Sequence, residues 1–175
     1  MKQEDKELLL KDLCARLPYG LQVQFFDEKE KENKIDKVQE VYQTLNPEIY
    51  TSQYGLICDN CKLLLRPFTN ITEEEVMEWA KMKYGENSEE VKNFVSWKIF
   101  RYDTSCTVDI KFFVETEYGQ QGYSTIFRIS SDDCESIEFF DWLNAHHFDY
   151  RGLIRKKLAL PADNMIYSNI NKNNE

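Results

Sequence analysis

Four side chains have types and spacings that suit metal or redox chemistry. Cys58 and Cys61 stand at CxxC spacing, and His146 and His147 are adjacent. A CxxC can act as a redox pair or supply half of a zinc site. A structural zinc site needs four ligands, and the sequence holds no second CxxC. A thioredoxin-like pair opens a helix after a strand in a βαβ unit, and the local pattern offers no such unit. The expectation is therefore a strand end followed by a capped turn, with Cys61 packing as a small apolar residue. The histidines could bind metal together with Asp141 or Asp149. Neighbouring positions on a helix point about 100° apart, however, so the two rings do not readily share one ion. The metalloprotease spacing, two His four residues apart around a Glu, is absent. One ring is expected to complement the negative end of a helix and the other to pack.

A second group carries charge. Asp149-Tyr150-Arg151-Gly152 is followed by Arg155-Lys156-Lys157, the one compact basic cluster of the chain. Asp149, Tyr150, Arg151, Arg155 and Lys156 form a candidate interaction or anion site. The plainer expectation is that Asp149 caps a helix and pairs with Arg151 to fix an inter-helix angle. The sequence contains no Gly-rich phosphate loop, nucleophile elbow or paired catalytic motif, so no catalytic residue and no cofactor are assigned.

The elements that would position these residues follow from periodicity. Phe139, Trp142, Leu143 and His146 recur at i, i+3, i+4 and i+7, which predicts a helix over 137–148. Ser130 or Ser131 would cap it. A shorter helix is expected from Tyr150 to about Lys156, ended by Pro161. At the other end, Leu9, Leu10, Leu13 and Leu17 predict a helix over 3–16, stopped by Pro18-Tyr19-Gly20. Leu21–Phe25 alternates as a half-buried strand does. Residues 35–45 fit either a helix or a return strand, and the strand is preferred. A short strand over 48–54 follows, and these strands would curl into a small twisted barrel. Asp59–Leu65 reads as one helical turn. Thr72 with Glu75 is a capping box that opens a helix carrying Val76, Trp79 and Ala80. From Trp97 the period becomes two. An antiparallel hairpin over 108–129 with a third strand at 98–102 is expected, covered by the 137–148 helix.

The chain has 175 residues, enough for one domain with a full core. The reading is α+β: an N-terminal helix, a small barrel-like section, then an antiparallel sheet under the C-terminal aromatic helix. One domain is expected over 1–165, with a subdivision at 1–68 and 69–165 and a flexible tail over 166–175. The formal charge is −9, from 22 basic and 31 acidic residues, which disfavours binding to nucleic acid or to anionic membrane. No apolar run reaches the roughly 18–20 residues of a membrane span. The acidic N-terminus is unlike a signal peptide, and five cysteines fit reduced thiols. A cytoplasmic location is expected.

Three stretches carry a resemblance. They are residues 11–20 (KDLCARLPYG), Leu65-Arg66-Pro67 with Thr72-Glu73-Glu74-Glu75, and residues 141–154 (DWLNAHHFDYRGLI). Together they resemble a family of proteins from gut anaerobic bacteria, their phages and mobile elements, to which no activity is assigned. The family pattern has a glycine where this chain has Lys157. The resemblance implies a genomic setting and no cofactor or catalytic residue. The functional expectation is an accessory or regulatory protein that acts by contact with an unidentified protein partner. Two alternatives stand beside it: a metal-dependent or redox protein using His146/His147 or Cys58/Cys61, and an acidic mimic of nucleic acid.

Overall fold

The computed structural model describes residues 2–42, 48–57, 61–101, 108–115, 121–129, 137–163 and 166–167. In chain order the elements are α1 (Gln3–Arg16), a 3-10 turn (Leu17–Tyr19), β1 (Gln22–Asp27), β2 (Glu32–Tyr42), β3 (Glu48–Thr51), β4 (Gly55–Ile57) and β5 (Lys62–Leu65). Then come α2 (Glu73–Tyr84), α3 (Glu89–Lys92), β6 (Phe94–Arg101), β7 (Val108–Glu115), β8 (Gln121–Ile129), α4 (Ile137–Ala145) and β9 (Ala159–Pro161). The protein is α+β.

The chain divides into two units. The first combines residues 1–70 with 137–175, and the second is the continuous segment 71–136. The first unit is built on a sheet of order β4-β3-β2-β1-β5-β9. Where a small barrel was expected, the described pairings run from β4 to β9 as an open sheet. All of its pairs are antiparallel except β5 with β9, which is parallel. Residues 35–42 continue β2, so the strand preference holds over the described part of 35–45. The sheet's inner face carries Val23, Val38, Ile49, Leu63 and Leu65, which pack with Leu13 of α1 and with Leu153 and Leu158.

Three local expectations need correction here. Residues 62–65 are strand β5, not a helical turn. Leu63 and Leu65 enter the main core while Leu64 packs with Ala162 and Tyr167 on the other side. A strand buried on both faces reads as a continuous apolar run and loses the alternating signal. The single strand expected over 48–54 is instead β3 and its turn into β4, with Gly55 at φ 70°. The second helix expected from Tyr150 is a series of turns. Gly152 at φ 71° and Lys157 at φ 60° are both left-handed, and each breaks helical propagation. The tail expected over 166–175 opens with half-buried Ile166 and buried Tyr167, both packed with Leu64 and Ala162; the rest of it, from residue 168, lies outside the described residues.

The second unit holds α2, α3 and the β6-β7-β8 sheet. The capping box forms: Glu75 N donates to the Thr72 hydroxyl at 3.3 Å, and Thr72 N donates to the Glu75 carboxylate at 2.9 Å. Val76, Trp79 and Ala80 are the buried face of α2, and α2 lies beside β8. α4 belongs to the first unit, where it meets α1, and the described ring contacts of Trp142 are with His146 and Phe148. The Ser130/Ser131 cap lies outside the described residues. Among the described residues no helix is long and apolar enough to cross a membrane.

Candidate functional site

The residues singled out at the two ends of the chain meet in one buried polar cluster. Arg16, at the end of α1, is fully buried. Its Nε donates to Asp12 Oδ2 at 2.7 Å and its Nη2 to Asp12 Oδ1 at 3.2 Å. The same Nη2 donates to the Phe148 carbonyl at 2.7 Å. Arg151 Nη1 reaches the same carboxylate, Asp12 Oδ1, at 2.8 Å. Both guanidiniums lie over the Tyr150 ring, whose hydroxyl donates to Asn144 Oδ1 at 3.0 Å. Burial holds the Tyr150 phenol above its ordinary range. One carboxylate thus joins α1 to the segment after α4 through two cations and an aromatic plate.

Asp149 does cap the turn after α4. Its two carboxylate oxygens accept from Leu153 N at 2.8 Å and Ile154 N at 3.0 Å. Burial pushes its carboxyl above the usual range, against the pull of those two donors. Its expected pairing with Arg151 is replaced by the Asp12–Arg151 bridge. Lys156 reaches Asp5 at 3.4 Å on the surface, and Arg155 is exposed. Of the candidate anion-site residues, Asp149, Tyr150 and Arg151 are therefore engaged in holding the chain together.

The histidines separate. His146 Nδ1 donates to the Trp142 carbonyl at 2.9 Å, and its ring lies against Trp142. His147 takes φ 58°, which ends the helix and turns its ring inward. There Nε2 donates to the Tyr19 carbonyl at 3.0 Å, and the ring stacks on Tyr167 at 3.9 Å between centroids. Burial, and then the Arg16 charge, lower its pKa to about 3, so the imidazole is neutral. His147 Nδ1 and Arg16 Nη1 are buried with no hydrogen-bond partner among the described residues. Arg66 closes the cluster: its backbone N donates to the His147 carbonyl at 2.8 Å and its carbonyl accepts from Asp149 N at 2.8 Å. Its guanidinium covers Phe148, which stacks on Phe68. Cys61 is half-buried against the core, and Cys58 lies outside the described residues. Among the described residues no group of three or more His, Cys, Asp or Glu could hold a metal ion.

The outward side of the first unit's sheet carries exposed apolar residues among polar ones, and they were not singled out in the sequence. Phe26 is 46%, Ile35 48%, Tyr42 48%, Tyr50 37% and Leu56 43% exposed. Register puts them on one side of the sheet. Gln24 pairs with Ile35 and Phe26 with Asn33; Glu40 pairs with Tyr50, which pairs with Leu56. Tyr42 and Tyr50 contact edge-to-face at 5.4 Å. A bulge between Val38 and Glu40 keeps Val38 inward and Glu40 and Tyr42 outward. The inward Asp36 pins this bend. Its carboxylate accepts from the Ser52 hydroxyl, from Gln53 N at 2.7 Å and from Lys37 N at 2.7 Å. Burial raises its pKa, and those hydrogen bonds outweigh burial and lower it overall. One signal for this face was present in the sequence. Phe25 and Phe26 are adjacent on a strand, so one of them must point away from the core.

Comparison with protein-family models, with curated proteins and with solved structures finds no match to this chain.

Proposed function

We propose that this chain is an accessory binding protein that acts by protein–protein contact, through the outward face of β1–β4. The observation that supports this reading is two exposed apolar groups, Phe26 with Ile35 and Tyr42 with Tyr50 and Leu56, on one side of a sheet whose other side carries the main core. Exposed apolar side chains grouped on one side of a sheet are costly in solubility and mark contact sites. Tyrosine suits such a face, because its ring buries area while its hydroxyl stays hydrated before contact. The polar cluster around Asp12 and Arg16 serves this reading indirectly, by fixing α1 and the C-terminal segment to the sheet's inner side.

A photo-crosslinking amino acid at Tyr50 tests the reading in cells that express the chain. The expected result is a discrete cross-linked product, absent when the same probe replaces Met82, which is exposed on α2. Equal products from both positions, or none from Tyr50, would remove the sheet face from consideration.

A further inference from the structure

The tyrosine group on this face carries charge with it. Outward positions of β2 and β3 form a square: Glu40 stands opposite Tyr50, and Tyr42 opposite Glu48. The tyrosines meet across one diagonal, edge-to-face at 5.4 Å, and the glutamates hold the other. Each glutamate thus has one tyrosine opposite it and the other two residues along its own strand. The Tyr42 hydroxyl donates to Glu40 Oε2 at 2.5 Å, which fixes that ring and leaves Glu40 Oε1 with no described donor. Neither glutamate has an ion-pair partner among the described residues. Three cations of the same sheet are committed elsewhere: Lys34 to Glu30 and Glu32, Lys62 to the Lys157 carbonyl, and Lys37 against Gly20.

We propose that this square is a recognition site for an arginine side chain of a partner protein. This rests on the reading of the sheet face as a contact surface and names the chemistry that the partner brings. Any partner that covers Tyr42 and Tyr50 also covers Glu40 and Glu48, and taking two carboxylates out of water without a counter-charge is costly. An apolar partner does not supply that charge, and an anionic one is repelled. A cation is drawn to the carboxylates and to the negative faces of the rings together. Guanidinium suits the square better than ammonium. It is planar, so it stacks on a tyrosine ring while its edge donates to a carboxylate, and it sheds water more readily. Leu56, paired with Tyr50 on the next strand, extends the apolar border that receives the aliphatic stem of the arginine.

The site is tested on the full chain without any partner. N-acetyl-arginine methylamide is titrated into protein carrying carbon-13 tyrosine, with the Tyr42 and Tyr50 ring signals assigned from Tyr→Phe variants. The comparison probe is the citrulline analogue, which has the same shape and no charge, at matched ionic strength. The arginine probe should shift both ring signals and saturate, and the citrulline probe should leave them in place. Glu40→Gln combined with Glu48→Gln keeps the size of both side chains and should raise the dissociation constant about fivefold or more. An unmoved signal from buried Tyr167 shows that the variant keeps its fold. Absence of shifts, equal shifts from citrulline, an unchanged constant in the double variant, or equally tight binding of the lysine analogue would each overturn the proposal. The citrulline comparison uses the wild type, so it holds whether or not the variant folds. The crosslink at Tyr50 separates this idea from the broader one. Saturable arginine binding without a crosslink keeps the cation site and removes the wider contact face. A crosslink without arginine binding keeps the contact face and removes the cation site.

Discussion

Asp12 is the residue whose loss should do the most harm for the fewest atoms. It is fully buried, and its carboxylate is shared by Arg16, also fully buried, and by Arg151, whose side chain is 17% exposed. Asp12→Ala leaves the Arg16 cation with the Phe148 carbonyl as its one described hydrogen-bond partner. Breaking a buried pair from one side costs about 3–5 kcal/mol, because an uncompensated charge stays in low dielectric. Arg151 can turn toward water, so its share of the loss is small. For a chain of this length that corresponds to a fall in Tm of roughly 6–20 °C. The readout must belong to the first unit. Trp142 lies there, while Trp79 and Trp97 lie in the second. Urea unfolding followed by fluorine NMR of fluorotryptophan-labelled protein resolves the three. The Trp142 signal should lose the full amount and the other two should lose less. Asp12→Leu combined with Arg16→Met should cost far less than the two single changes added, because apolar replacement of a buried pair is often close to neutral. A loss at Trp142 below about 1 kcal/mol for Asp12→Ala would refute the argument, since that is the scale of a surface pair.

Three further outcomes are expected. His147 titrates near 6.5 when unfolded and near 3 when folded, so the unfolded chain binds more protons between those values and stability falls as pH drops through that window. The slope from this group is at most about 1.4 kcal/mol per pH unit, and the raised pKa of Asp149 opposes it near and above the ordinary value of 3.8; the His147→Gln variant, melted across the same window, should show a flatter profile. Tyr167→Ala should cost about 3–5 kcal/mol by removing a buried ring, and Tyr167→Phe about 1 kcal/mol by removing the hydroxyl donor to the Leu64 carbonyl; equal losses from the two in urea titration would show that the stack on His147 contributes nothing. Thr72→Ala should cost the second unit about 1 kcal/mol through its lost cap, read at Trp79 with Trp142 unmoved.

Where local periodicity and local chemistry decide, the sequence sufficed. α1 ends at the Pro18–Gly20 stop, with Gly20 at φ 73°, and Thr72 with Glu75 opens α2 as a reciprocal cap. Both are settled within a few residues, by hydrogen bonds between near neighbours. The sequence also marked residues 11–20, 65–67 and 141–154, without a reason for their company. The reason is long-range. Asp12 and Arg16 meet Phe148, Tyr150 and Arg151 across more than a hundred residues of intervening chain, and Arg66 meets His147 and Asp149 across fewer. No pattern within a window specifies which buried cation a carboxylate will face. Only tertiary structure decided that Leu63-Leu64-Leu65 is a strand, because burial on both faces erases the alternation that would announce it. It also decided that the α4 face, written plainly as Phe139, Trp142 and Leu143, belongs to the first unit. An amphipathic helix states that it needs an apolar neighbour; it does not state which one. The outward set on β1–β4 is the same lesson reversed. Tyr42 and Tyr50 are as apolar in sequence as the core around them, and only strand register, bent by one bulge, puts them on the side that faces water.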